Sequence, residues 1–440
     1  MKAARLRGGL HPPDNKERTK DLPVERLSPS GTLVVPMSQH MGAVCEPAVA
    51  KGEAVRLGQL VGRVSGFVSA PVHSSVSGEV AAVEKRPHPV LGECLAVVIA
   101  SDGKDTPDDS LAPMEGWERR SQEELRGRVR DAGLVGMGGA AFPTHVKVSP
   151  PADKPVDTFI LNGAECEPYL TCDARLMVER PAEILLGARV LARAAGAKRV
   201  VVGVEDNKPE ALSALSGAAE KAGGNIEVVS VHTRYPQGGE KQFIWALTGR
   251  EVPSGGLPMD VGCLVDNVAT ALAAKEAVVD GKPLYERVVT VTGPGVPSPK
   301  NLLARIGTPI TALLSACGLS EPKSRVIAGG PMTGIALRRL DVPVLKATGG
   351  VLVLEGGPAW REQPCIRCSS CVRVCPTNLV PTAISRAASL GRFDEAERLS
   401  ALDCIECGCC AYICPAEIPL VHYIRLAKAE ITAKRRAVKK

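Results

Sequence analysis

The chain has 440 residues, 45% of them hydrophobic and 23% charged, enough for about two to four globular domains with substantial cores. Only 3% is aromatic, while Gly 44 and Pro 35 together exceed one residue in six; that mix excludes a coiled coil or solenoid and favours turn-rich α/β and β modules. The net charge of +6 is concentrated, because residues 428–440 carry six Lys/Arg against one Glu; the rest sits near +1 and offers no basic face for nucleic acid.

The N-terminal stretch MKAARLRGGLHPP, within a segment covering 1–32, is basic but has no apolar h-region, so it is no secretory signal. No run of 18 uncharged apolar residues occurs anywhere, and no span across a membrane is expected. Residues 33–101 are rich in Val, Gly and Pro, with turns every 8–12 residues. AVAKGEAVRLGQLVGRV and FVSAPVHSSVSGEVAAVE read as short hairpins of a barrel–sandwich hybrid, like biotinyl or lipoyl domains. A carrier needs a Lys in its tip turn and HSSVSG has none, so a structural or docking role is expected. His40 and His73 have no Cys/His/Asp set beside them and read as non-ligands.

Residues 115–286 follow. SQEELRGRVRDAG is helical, and DAGLVGMGGAAFPTHVK is a glycine loop in which Gly136, Gly138 and Gly139 let backbone approach a ligand closely. AAFPTHVK is expected to open a helix whose amides face a phosphate. The spacing is not GxGxxG and no strand precedes it, which excludes a dinucleotide Rossmann turn. Three β-runs, TFILNGAECEPYLTCD, RVVVGVEDNKPEAL and NIEVVSVHTRYPQGGEKQ, alternate with helical stretches, predicting a Rossmann-like parallel sheet. Polar clusters recur at their carboxyl ends: Asn162, Glu165 and Glu167; Glu205, Asn207 and Lys208; Tyr235, Gln237, Glu240 and Lys241. Open α/β sheets bind ligands at that edge, so a nucleotide-type cofactor is expected. Residues 287–345 read as a small β-grasp spacer, and GGVLVLEGGPAW as a linker.

In 355–427 the cysteines carry the chemistry. Cys365, Cys368, Cys371 and Cys375 form C-x2-C-x2-C-x3-C-P, and the spacing returns as Cys404, Cys407, Cys410 and Cys414 before Pro415. This is the bacterial two-cluster ferredoxin pattern, in which the fourth cysteine of each run ligates the other [4Fe–4S] cluster. The expected sets are Cys365, Cys368, Cys371 and Cys414, and Cys404, Cys407, Cys410 and Cys375. Cys375 and Cys414 are expected to start helices pointing away from their runs. Disulfides need an oxidising compartment, and zinc uses one or two CxxC pairs, not this duplicated run. Cys409 falls outside the spacing, and Cys45, Cys94, Cys166, Cys172, Cys263 and Cys317 read mostly as small buried side chains. Between the runs lies a helical insertion broken at Gly391. The basic C-terminal helix is either a solvated end or an electrostatic latch on an acidic partner or anionic leaflet.

GLVGMGGAAFPTHVK, LNGAECEP, YPQGGEKQ and DNVATA resemble the FMN- and NADH-binding domain of the flavoprotein subunit of respiratory complex I. With its flanking modules, from GGLHPP at Gly8 to the second cysteine run, the chain resembles the RnfC family, the C subunits of Rnf ion-translocating electron-transport complexes. The resemblance implies that Gly136, Gly138, Gly139, Ala140, Phe142, Lys147, Asn162 and Asn267 line the FMN site. It also implies that Glu165, Glu167 and Glu240 lie over the flavin and nicotinamide pocket, Glu165 and Glu240 as catalytic groups. Gly239, Asp266 and Cys166 depart from the complex I flavoprotein, which has Glu, Asn and Gly there. The implied function is electron exchange between NAD(H), FMN, two [4Fe–4S] clusters and a membrane complex that moves Na+ or H+. The implied place is peripheral, on the cytoplasmic face, held by partner subunits. One rival is a soluble cobalamin reductase, whose relatives place the glycine loop first and the barrel late. The other is a non-catalytic iron–sulfur relay, which retention of FMN would separate.

Overall fold

The computed structural model describes residues 6–29, 31–321, 325–356 and 361–438. The first five residues of the N-terminal stretch, the final GPAW of the expected linker and the last two lysines therefore lie outside it. The polypeptide builds four sheets and a helical C-terminal module.

Near the N-terminus a four-stranded sheet (Thr32–Pro36, Gly92–Ser101, Gly78–His88, Ala54–Val55) packs on a three-stranded one (Glu46–Pro47, Leu60–Arg63, Val72–His73). Alternate residues Leu33, Val35, Val97 and Ile99 meet Val61 and Val72 in its core.

The second sheet is parallel throughout, in the order Ile226–Val231, Arg199–Glu205, Thr158–Gly163, Cys263–Asn267. The last of these strands carries the DN of DNVATA and adds to the three β-runs read from sequence. Apart from the half-buried edge strand Ile226–Val231, its strands are buried on both faces, which is why they read as unbroken apolar runs rather than alternating ones. Phe159, Leu161, Val200, Val202 and Leu264 pack beneath the helices Pro181–Ala195 and Val268–Lys275. Ile160, Val201, Val229 and Val265 pack on Phe243, Ile244 and Leu247 of the helix Glu240–Thr248. Gly187 is where Pro181–Ala195 crosses Val268–Lys275: a Cβ there would lie 1.7 Å from the Ala271 carbonyl oxygen.

The third sheet has six strands, and two come from outside 287–345. Val24–Arg26 adds an edge beside Lys300–Arg305, and Gly350–Leu354, expected as linker, runs between Glu286–Thr292 and Arg325–Ala328. A five-residue apolar run bounded by glycines is equally a strand, and only its partners decide.

In the C-terminal module Cys371 and Cys410 sit on one-turn helices, Ser370–Arg373 and Cys409–Tyr412. Cys375 and Cys414 follow those turns rather than starting helices, a correction to the expectation; Pro376 and Pro415 then break the chain. Pro381–Ser389 and Phe393–Arg398, separated at Gly391 with φ +68°, pack Ile384, Ala388 and Ala396 against Ile424, Ala427 and Ile431 of the helix Leu420–Val438. The basic end of that helix is largely satisfied within the chain: Lys434 pairs with Asp394, Arg435 with Glu397 and Lys428 with Glu406.

Candidate flavin crevice and paired cluster cavities

The parallel sheet is laid down outward from Thr158–Gly163 through two strands and then returns to its other side at Cys263–Asn267. Such a reversal leaves a crevice at the carboxyl ends, where open sheets take ligands. Here the two lips are Asn162 and Asn267, register partners on adjacent strands. Asn162 Nδ2 donates to the Gly238 carbonyl at 2.9 Å, and its Oδ1 accepts from Ala164 N at 2.9 Å. Asn267 caps the helix Val268–Lys275, accepting from Ala269 N at 2.8 Å, and donates from Nδ2 to Asp173 Oδ2 at 2.6 Å.

The glycine loop closes over this edge as a hairpin. Gly136 N donates to Phe142 O at 2.9 Å, and Met137 N donates to Thr270 Oγ1 at 2.9 Å. Gly138, Gly139 and Ala140 are left exposed. A Cβ on Gly138 would come within 3.0 Å of Asn267 Nδ2, whereas one on Gly139 would meet nothing within 4 Å. The expected helix after the loop is the single turn Thr144–Lys147, because Pro143 sets its start and the chain turns away at Val148. The longer helix starting at the crevice is Val268–Lys275.

Lys147 and Glu240 form an ion pair at 2.7 Å. Burial works against the Lys147 charge, but the Glu240 and Asp266 carboxylates outweigh it and its pKa is raised. Burial also raises Asp266, whose Oδ2 has no hydrogen-bond partner.

Glu165 and Glu167 each hold nearby backbone through hydrogen bonds. Buried Glu165 accepts from Asp173 N at 2.9 Å, Ala174 N at 3.2 Å and Cys172 Sγ at 3.3 Å, capping the helix Cys172–Glu179. Glu167 accepts from Met332 N at 3.2 Å and from Thr333 Oγ1, holding the turn that follows Arg325–Ala328, and burial raises its pKa.

Sequence reasoning did not single out Asp173, which burial beside Glu165 raises to about 6. It also passed over Arg287, fully buried, which donates to Lys346 O at 2.5 Å and to Met137 O of the glycine loop at 3.4 Å. Lys16 was missed as well; its Nζ donates to the Glu165 and Leu170 carbonyls at 2.5 and 2.7 Å. Nothing in the spacing of these three marks them.

The eight run cysteines gather in two places. Cys365, Cys368, Cys371 and Cys414 line one cavity of about 540 Å³. Cys375, Cys404, Cys407 and Cys410 line a second, much smaller one. Each cavity draws three thiols from one run and one from the other, and all 15 cysteines are free. As a free thiol Cys404 is pushed up to about 11 by burial, a proton that iron binding must displace.

Cys409 also borders the second cavity, but its side chain is fully buried with Leu10 and Tyr235 and is directed at the Tyr235 carbonyl, 3.9 Å away. Tyr235 in turn donates its hydroxyl to the Cys407 carbonyl at 2.6 Å. The loop that meets Asn162 through Gly238 therefore also touches a cysteine run. Cys166, on the Asn162 strand's exit, packs in the same cluster, and burial followed by the Glu205 charge pushes it up to about 12.

GGLHPP explains itself here as a clasp. Gly9 N donates to Val374 O at 2.8 Å, Leu10 pairs with Tyr235, and a Cβ on Gly8 would meet Cys375 O at 2.5 Å. Both glycines have positive φ, +64° and +70°.

These features fit the groups expected. The crevice has a glycine cradle, a fixed cation and an unpartnered carboxylate oxygen, and each cavity brings four thiols together. Comparison with known proteins agrees. The Nuo51 FMN-binding domain matches residues 129–276, the RnfC barrel sandwich hybrid domain 4–104, the SLBB domain 288–336 and a 4Fe-4S dicluster domain 364–418. The C subunit of the Na(+)-translocating ferredoxin:NAD(+) oxidoreductase complex of Acetobacterium woodii is 47% identical over 442 residues, covering 99% of both chains. This chain belongs to the RnfC family.

The counterpart from the proton-translocating ferredoxin:NAD(+) oxidoreductase complex of Clostridium ljungdahlii is 46% identical, covering 97% of this chain and 93% of the relative. Among solved structures, a chain of an NAD+-reducing [NiFe]-hydrogenase in the H2-reduced state shares the fold at TM-score 0.51 and 20% identity, covering 75% of this chain and 69% of that one. This RnfC chain thus joins a barrel sandwich, an FMN-binding domain, an SLBB domain and a dicluster domain in that order.

Proposed function

We propose that this chain is the electron-input and output subunit of an ion-translocating ferredoxin:NAD(+) oxidoreductase complex, exchanging electrons between NAD(H) and partner iron–sulfur and integral membrane subunits. Through those partners it is coupled to ferredoxin and to Na+ or H+ transport. When bound, FMN supplies two-electron chemistry with NAD(H) and single-electron chemistry with the two [4Fe–4S] clusters.

The observation that carries the reading is the loop Tyr235–Glu240. Its Gly238 closes the Asn162 edge of the crevice, its Tyr235 holds the Cys407 backbone, and its Glu240 pairs with Lys147. A site for a two-electron carrier and a site for one-electron carriers thus share one short segment.

Gly136, Gly138, Gly139 and Ala140 let the backbone come close to the flavin, with Phe142 closing the loop. Asn162 and Asn267 orient it from the strand ends. Lys147, kept charged by Glu240 and Asp266, would supply a fixed positive charge in the crevice to offset the negative charge of a reduced flavin. Glu240 is partly exposed beside Lys147, and Glu165 and Glu167 act by fixing the helix Cys172–Glu179 and the turn at Met332–Thr333. The first cluster takes Cys365, Cys368, Cys371 and Cys414, and the second Cys404, Cys407, Cys410 and Cys375.

No described helix is long and apolar enough to cross a membrane. In this reading the protein sits peripherally, on the cytoplasmic side of the inner membrane, held by its partners. Anaerobically purified protein should contain one FMN and about eight irons, and NADH should bleach the flavin. Zinc in place of iron, or no bleaching of a flavin-loaded sample, would overturn the reading.

A further inference from the structure

The two cysteine cavities differ in access. Cys375 and Cys410 are buried, Ile405 of the second cavity's lining faces Gly239, and the backbone of its cysteine segments is held by Tyr235 at Cys407 and by the Gly8–Gly9 clasp at Val374 and Cys375. The first lies open: Cys365 and Cys368 are exposed, and between them Ile366 is 69% exposed. Val380 and Leu390, also exposed, continue the apolar rim around the same cavity.

The charge around this rim is mainly positive. Residues 363–393 hold four arginines, Arg367, Arg373, Arg386 and Arg392, and no Asp or Glu. All four are exposed. Of the residues lining the cavity, Glu395 alone is acidic, and it pairs with Arg392 at 3.7 Å. Arg373 braces the rim, donating to the Cys368 carbonyl at 3.0 Å and to Ser370 Oγ at 2.9 Å. An apolar centre ringed by arginine is the composition of a protein-docking patch, with arginine favoured for planar carboxylate partners.

We propose that the rim formed by Ile366, Arg367, Val380, Arg386, Leu390 and Arg392 is the docking face for an acidic iron–sulfur protein. This deepens the proposed function and rests on it. Ile366 and Leu390 seat the partner, and the arginines select its sign and speed its approach. The buried second cavity faces inward to the flavin domain and leaves this rim as the outward contact. An anionic leaflet is the less favoured occupant, because the basic residues here surround an apolar centre over a cysteine cavity rather than forming a continuous lysine-rich stripe.

The test uses the full-length chain loaded with FMN and iron, titrated by calorimetry with an oxidised acidic two-[4Fe–4S] ferredoxin. A cationic cytochrome c and anionic phosphatidylglycerol vesicles serve as contrasting probes. Ferredoxin should bind, weakening about tenfold or more from 50 to 200 mM salt, while cytochrome c should not bind. Arg367→Glu with Arg386→Glu should weaken ferredoxin at least tenfold, and Leu390→Asp should weaken it with little change in salt dependence. Iron content and NADH bleaching should stay at wild-type levels in both.

Equal ferredoxin affinity in wild type and variants, no ferredoxin binding, preferential binding of vesicles through these arginines, or a self-association lost in the variants would each overturn the docking face. Wild-type protein without eight irons or without NADH bleaching would instead bring down the proposed function.

Discussion

Replacing Gly187 by alanine gives two opposed expectations, and the structure decides between them. By helix propensity alone, Gly→Ala inside Pro181–Ala195 should stabilise by about 1 kcal/mol. Against that, the new Cβ would lie 1.7 Å from the Ala271 oxygen, 2.5 Å from its carbonyl carbon and 3.2 Å from Lys275 N. An unforced carbon–oxygen contact is about 3.3 Å, so the two helices must part by roughly 1.5 Å. Neither can yield cheaply, since Ala188, Leu191, Ala271 and Ala274 around the crossing are completely buried. Overpacking of side chains costs about 1–3 kcal/mol, and a clash with backbone lies at the top of that range or above it. The net effect should be destabilisation by about 2 kcal/mol. Because Asn267 caps the displaced helix and abuts Gly138, flavin affinity should fall with stability.

Gly217, within the helix Pro209–Ala222, is the internal control: a Cβ there meets nothing within 4 Å, so Gly217→Ala should stabilise by about 0.5–1 kcal/mol. Urea unfolding followed by far-UV circular dichroism, with flavin retained through gel filtration as second readout, compares the two variants. A Gly187→Ala protein as stable as Gly217→Ala would refute the close helix crossing.

The remaining expectations concern the clusters and pH. Cys375→Ser combined with Cys404→Ser should remove one cluster and leave about four irons, whereas Cys375→Ser with Cys365→Ser should remove both; iron and sulfide analysis separates these from clusters confined to single runs. Tyr235→Phe deletes the 2.6 Å hydrogen bond to Cys407 O, so one cluster should release iron faster to a chelator while FMN content is unchanged. His73, fully buried, has its pKa lowered to about 3 by burial and then by the Lys346 charge, and it stays neutral when folded. Its contribution is present above the unfolded pKa of about 6.5 and is lost as pH falls below that, so moving to pH 5 should cost about 2 kcal/mol. His73→Gln should flatten that part of the denaturation midpoint against pH; an unchanged slope would point to other groups.

The sequence alone determined whatever chemistry is encoded locally. Cysteine spacing names its own clusters, because two-residue gaps wrap one cubane whatever surrounds them. Unbroken Val runs between amphipathic helices required a parallel sheet, since only strands covered on both faces are apolar throughout. The glycine loop and the strand-end polar residues likewise pointed to the edge now proposed for the ligand. What depended on distant partners was hidden. Gly350–Leu354 is a strand because Glu286–Thr292 and Arg325–Ala328 flank it. Glu165 and Glu167 are a helix cap and a turn holder because burial leaves their oxygens no better donors. In the +5 tail, so prominent in composition, Lys428, Lys434 and Arg435 pair with Glu406, Asp394 and Glu397 across a helix contact. Its docking role passes to four arginines around an open cysteine cavity, which only the packed module brings to one rim.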